Sequence, residues 1–215
     1  MFMNSNNLHK YINELIGVFF LVLTIGCTVI AGSAGVLAPL AIASILMVFI
    51  YAGGHLSGAH YNPVVSLAMW LRGRMAQADL VPYMLFQVAG ALLAAAVVNF
   101  LKRDVIVIPA AIVPAHVFVA EFLFTFALVY VVLNVATAKN TDRNSYFGLA
   151  IGFTVLAGAF AVGSISSAAF NPAVNAALGV MGLMAWENLW VYLLAQVLGA
   201  VVAAYTFLFL NPLDR

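Results

Sequence analysis

The chain has 215 residues, of which 66% are hydrophobic and only 7% charged, with a formal net charge of +1 at neutral pH. Soluble domains carry about 25% charged residues, so this composition excludes a soluble globular protein, and the small net charge excludes a nucleic-acid footprint. A single cysteine, Cys27, excludes an intrachain disulfide and a cysteine metal cluster.

Crossing the hydrocarbon of a bilayer takes about 20 helical residues. Six apolar stretches meet that length, at 11–31, 36–55, 80–101, 115–136, 146–164 and 186–209. The first is too long for the core of a signal peptide and reads as a retained span. Its Thr24-Ile25-Gly26-Cys27 only faintly resembles a lipoprotein cleavage box, because Thr stands where Leu is expected and the run carries Glu14.

Two shorter apolar stretches, 62–71 and 171–180, would reach only half-way across. Each begins with Asn-Pro. Proline suits the first helical position, where its missing N–H costs nothing, and the Asn before it is a strong N-cap. Asn62-Pro63 and Asn171-Pro172 therefore read as starts of half-helices. The alternative, a Pro-kinked longer helix, is opposed by the Gly and Ser residues upstream, among them Gly53, Gly58, Gly163 and Ser167.

The chain repeats itself. The stretch from Ala52, "AGGHLSGAHYNPVV", matches "AVGSISSAAFNPAV" from Ala161, and "QVAGALLAA" from Gln87 matches "QVLGAVVAA" from Gln196. Glu14 pairs with Glu121, so an offset of about 109 residues holds across three landmarks. The expected architecture is an all-α membrane protein with one channel domain over 1–215, built from repeats at about 8–107 and 115–212. Three full spans per repeat turn the second copy upside down. Lys10, Arg72, Arg74, Lys139, Arg143 and Arg215 then share one side and only Lys102 and Arg103 the other, which places both termini in the cytoplasm.

Two half-helices entering from opposite faces bring their N-termini together near the midplane, a common way to build a solute site. Irregular backbone at that depth must be buried or line a water-filled cavity. Carbonyls near Gly58, Ala59, His60 and Tyr61, and near Ser167, Ala168, Ala169 and Phe170, would then border a path. Asn62 and Asn171 would donate hydrogen bonds at its centre. Each helix N-terminus carries about half a positive charge, which opposes cations and protons but not neutral molecules. The expected function is passive passage of small neutral solutes.

Both boxes, the six spans and the repeat resemble the aquaporin, or major intrinsic protein, family over nearly the whole chain. The resemblance implies a homotetramer in membrane lipid, one pore per subunit, no cofactor and no metal. It places Asn62, Pro63, Val64, Asn171, Pro172 and Ala173 at the pore centre, with Val64 replacing the usual Ala. It also implies an outer constriction of Ile42, Ala159, Ala168 and Val174, where most members carry Arg at the last position. This apolar set is most similar to plant vacuolar-membrane members and implies permeability to ammonia, urea, glycerol or peroxide besides water. Asn175 stands where glycerol facilitators usually have Asp, which argues against a dedicated glycerol channel.

Glu14 and Glu121 lie inside spans, where an ionisable group is costly. They are expected to accept hydrogen bonds from the loops that feed the half-helices, rather than to relay protons. His55 and His60 have no counterparts in the second box and no third ligand nearby for a metal; buried hydrogen-bonding or pH-sensing roles are expected. Gln87 and Gln196 are expected to anchor helix contacts beside small residues. Three other readings stay open: a channel mainly for a larger neutral solute, a secondary transporter, and a structural membrane protein with a vestigial pore. Compact loops favour a bacterial inner membrane.

Overall fold

The computed structural model describes residues 7–214, so the sequence expectations for Arg215 and the first six residues lie outside it. Eight α-helices follow in order: α1 Leu8–Val29, α2 Ala38–Ser57, α3 Pro63–Leu71, α4 Gln77–Leu101, α5 Pro114–Thr137, α6 Phe147–Ser166, α7 Pro172–Val180 and α8 Leu189–Leu210. Among the described residues there is no strand. Among the described residues, six helices are long and apolar enough to cross a membrane. The two nine-residue helices, α3 and α7, rise only about 13 Å.

Both short helices start as their sequences dictate. Asn62 and Asn171 have extended backbone, and Pro63 and Pro172 occupy the first turn. Asn62 Oδ1 accepts from the Val64 N–H, and Asn171 Oδ1 accepts from those of Ala173 and Val174. The half-helices are therefore separate elements, not kinked continuations of α2 and α6.

Packing repeats between the halves: α1 lies on α4 and α2, α5 lies on α8 and α6, and α2 against α6 joins the two sets. Small residues permit the closest crossings. A Cβ on Gly199 would stand 2.6 Å from the Phe122 carbonyl oxygen, and one on Gly90 would run into that of Leu15. Without a hydrophobic drive between helices in lipid, such close approach is what holds a membrane bundle together.

Hydropathy alone starts the third span at 80, but α4 begins at Gln77. The difference has a polar cause. Asp79 in its first turn accepts hydrogen bonds from the Tyr11 hydroxyl at 2.6 Å and from Asn7 Nδ2 at 2.9 Å, so a charged turn that reads as loop is tied to α1.

The chain end after α8 is also fastened. Asp214 accepts from Arg72 Nη2 at 2.8 Å and from the Lys139 backbone N–H at 2.7 Å. The Arg72 guanidinium lies 4.6 Å from the Phe207 ring centroid. The Lys139 N–H, followed by the Arg72 charge, holds the Asp214 carboxyl below its ordinary range.

Candidate functional site

Each half-helix is preceded by a loop in the left-handed region of backbone space. Gly58 (φ 85), Ala59 (φ 50) and Tyr61 (φ 48) precede α3; Ser167 (φ 63), Ala168 (φ 49) and Phe170 (φ 48) precede α7. Five of these six are not glycine, and each such residue costs about 1–2 kcal/mol. Strain of this kind persists only where the surroundings over-determine it.

The over-determining groups are the two glutamates. Glu14 is fully buried and accepts four hydrogen bonds, from the backbone N–H groups of His60 (2.9 Å) and Tyr61 (2.6 Å), Ser57 Oγ (2.5 Å) and Gln87 Nε2 (2.7 Å). Glu121 is equally buried. It accepts from the N–H groups of Ala169 (3.0 Å) and Phe170 (2.8 Å), Ser166 Oγ (2.7 Å) and Gln196 Nε2 (2.7 Å). The serine oxygens in turn accept from the Ala59 and Ala168 N–H groups. A buried carboxylate without such donors would be prohibitively costly; here it fixes the direction of every amide in the turn.

With their N–H groups turned to the glutamates, the loops present carbonyls to the opposite half. Asn62 Nδ2 donates to the Phe170 carbonyl at 2.8 Å, and Asn171 Nδ2 donates to the Tyr61 carbonyl at 2.9 Å. Each Asn side chain thus caps its own helix with oxygen and reaches the other half with nitrogen. An amide nitrogen carries two hydrogens. One is used in the cross-bond, and the second is left for the space that both asparagines border.

That space is a narrow cavity of about 70 Å³ (a water needs only about 10–15 Å³) lined by equivalent residues from both halves: Leu21 and Leu128, Ile25 and Val132, Ile42 and Ile151, Leu46 and Val155, Ala59 and Ala168, Val65 and Val174, and the two asparagines. Its walls are mostly aliphatic, with Met69 and Phe147 among them, and its polar lining comes from the two asparagines and the His60 and Tyr61 positions.

The site residues expected from the sequence distribute as follows. Gly58, Ala59, His60, Tyr61, Asn62, Ala168, Ala169, Asn171, Ile42 and Val174 line the cavity. Val64 and Ala173 are buried in the first turns of α3 and α7 and do not line the cavity. Ser167 and Phe170 do not line it either: Ser167 is the left-handed cap after α6, and the Phe170 ring stacks on Phe124 at 5.6 Å. Ala159 lies one turn beyond Val155 on α6, and the cavity meets that helix at Phe147, Ile151 and Val155 instead.

His55 requires a correction. It is exposed on the last turn of α2 and borders a wide vestibule of about 940 Å³, where one cavity water needs about 10–15 Å³, with Arg74, Lys139 and Arg143. That vestibule opens at the end of the bundle where α3 stops, so a polar ring there faces space rather than core. His60 is buried, with Nδ1 3.0 Å from Ser66 Oγ and its ring 5.1 Å from that of Tyr83.

Sequence reasoning missed several contributors. Leu21, Ile25, Leu128 and Val132 on α1 and α5 line the cavity but look like any lipid-facing aliphatic. Ser57 and Ser166 brace the glutamates, and their matched places in the repeat were the available signal. Among the described residues no cluster of His, Cys, Asp or Glu is placed to hold a metal ion.

The bundle and its paired half-helices define a membrane channel fold. The chain belongs to the major intrinsic protein family, whose model matches residues 1–207. It is 34% identical to Aquaporin NIP1-2 of Arabidopsis thaliana, over 97% of this chain and 76% of that one. It is 33% identical to Glycerol uptake facilitator protein-like 6 of Lactiplantibacillus plantarum, over 92% of this chain and 96% of that one. The X-ray structure of the aquaglyceroporin from Plasmodium falciparum shares the fold, with a TM-score of 0.81 at 20% identity, covering 97% of this chain and 98% of that one. Neither relative's name points to the vacuolar-membrane subgroup that the constriction resembles.

Proposed function

We propose that this chain is a passive transmembrane channel for water and small neutral solutes such as glycerol, and not an enzyme. The observation that carries the reading is the pair of crossed asparagine bonds bordering a narrow, largely apolar cavity. A water or hydroxyl passing there accepts from both asparagines, so its own hydrogens point away from the centre on both sides. A proton relay needs a single direction of donation and is interrupted at this point. The half-helix N-termini add positive potential against cations.

Selectivity is read from the outer end of the cavity. Ile42, Ala168 and Val174 present no charge and no ring there, and Ala159 completes the proposed constriction. A pore mainly for glycerol, urea or ammonia is the second reading, favoured by this apolar set. The likeness to vacuolar-membrane members is retained only as a description of that apolar character. Exclusion of protons then rests on the midplane alone, because no Arg guards the entrance.

The reading extends to the assembly. Two repeats of opposed orientation, at about 8–107 and 115–212, account for the matched hydrogen bonds of Glu14 and Glu121. Both termini lie in the cytoplasm with Arg72, Arg74, Lys139 and Arg143. Four subunits associate in the lipid through outward apolar residues such as Leu85, Phe160 and Phe209. Near-complete coverage of a bacterial relative and the short connections favour a bacterial inner membrane.

Stopped-flow light scattering on proteoliposomes tests the function. Fast shrinkage in an impermeant osmolyte, followed by fast reswelling in glycerol or urea, is the expected result. Shrinkage without reswelling would restrict the pore to water. No acceleration over empty liposomes would favour a vestigial pore with a structural role. A pH-sensitive dye inside the same vesicles should show no rapid proton entry.

A further inference from the structure

We propose that Phe147 and Met69 form a second size filter, an apolar neck between the pore and the vestibule near His55, distinct from the outer constriction. The proposal rests on the channel reading. The narrow cavity and the wide vestibule are separate spaces with common walls: Gly58, Met69, Ala136 and Phe147 line both. A wall shared by two adjoining spaces is the narrowing between them. Of the four, only Met69 and Phe147 have large side chains, so they set its width.

Phe147 is held, not loosely draped. It is the first residue of α6, and its ring packs edge-on against Tyr51 at 5.1 Å. The Tyr51 hydroxyl donates to the Ser145 carbonyl at 3.2 Å and accepts from the Leu149 N–H at 3.0 Å, bracketing Phe147 on both sides along the chain. Gly54 gives the ring its place, since a Cβ there would already touch it at 3.5 Å. A ring fixed in this way acts as a wall with a defined aperture.

The repeat shows that this is an addition to the common scaffold. At the equivalent place in the other half, Ala38 stands for Phe147, and Gly163, the counterpart of Gly54, has open space beside it. Only one end of the pore carries an aromatic ring at this position. With no ring and no charge at the outer end, the neck adds a second discrimination by size.

The test is water and glycerol permeability of the full chain in proteoliposomes, wild type against Phe147→Ala, Phe147→Trp and Met69→Ala. Removing ring or thioether should raise glycerol permeability by at least about threefold, within the range that small changes in pocket size produce, and raise water permeability by less. Phe147→Trp should lower both, glycerol more. The Met69 variant gives an independent measurement if Phe147→Ala fails to fold. An unchanged glycerol-to-water ratio across a conducting series would overturn the neck and leave the channel standing. A wild type no faster than empty liposomes would overturn both.

Discussion

The two loops that meet at the pore centre share a backbone and differ in side chains. Both have three left-handed residues in the same order, and both hang from a buried glutamate with four donors. Beside that frame, the first loop sets His60 on Ser66, whose oxygen also accepts from Gln87 at 3.0 Å. The second has Ala169, and Asn175 donates to Gln196 at 3.0 Å. What repeats is the geometry that aims carbonyls and asparagines. What varies is the polar packing around it, His60 and Ala169 in the cavity wall included, so the frame and the selectivity are separable.

The largest expected effect comes from breaking the frame. Glu121→Ala leaves buried donors without an acceptor at about 1–3 kcal/mol each. Loss of conduction is expected together with a several-degree fall in Tm, and Glu14→Ala should match it. Unequal losses would show that the halves are not equivalent supports.

Next is the outer entrance. Val174→Arg places a cation at the apolar constriction and should cut glycerol permeability by about tenfold or more, as the 1–3 kcal/mol of a changed pocket allows, with water reduced less. Equal reduction of both in the swelling assay would mean a plug rather than a filter. Exchanging the differing side chains, His60→Ala against Ala169→His, changes the cavity wall on an unchanged frame and should raise the glycerol-to-water permeability ratio in the first and lower it in the second, by about threefold; equal loss of both permeabilities in both variants would mean that the frame itself was disturbed.

The smallest effect concerns the fastened tail. Asp214 is held below the ordinary carboxylate range by the Lys139 N–H and Arg72. Its stabilising contribution is therefore present above the unfolded carboxylate's pKa and lost as pH falls through the lower folded one. Asp214→Asn should lower Tm slightly near neutral pH and flatten its fall on acidification, measured by thermal scans in detergent.

Much of this molecule is legible in its sequence, because the bilayer allows few solutions. Spans, half-helices and caps follow from length, Asn-Pro and apolar runs, and Glu14 and Glu121 stand out as ionisable groups in oil. The comparisons support the family and fold read from those features. Other details were hidden for physical reasons. Asp79 reads as loop because its partners Tyr11 and Asn7 lie far away in the chain. His55 reads as buried because hydropathy does not reveal that a vestibule opens beside it. Phe147 and the aliphatic wall are silent because lipid-facing and lumen-facing residues use the same alphabet.

The crossed asparagine bonds also constrain how the protein is made. The acceptor for Asn62 lies 108 positions further along the chain, and the acceptor for Asn171 lies 110 positions back. When the first half leaves the ribosome, its loop has no partner, and chains fold from the N-terminal side as they emerge. The first half must wait in the membrane, its central amide unspent, until the second arrives. Assembly of the pore centre therefore waits for the second half, and a chain cut between the halves could recover it only by finding the missing half in the same bilayer.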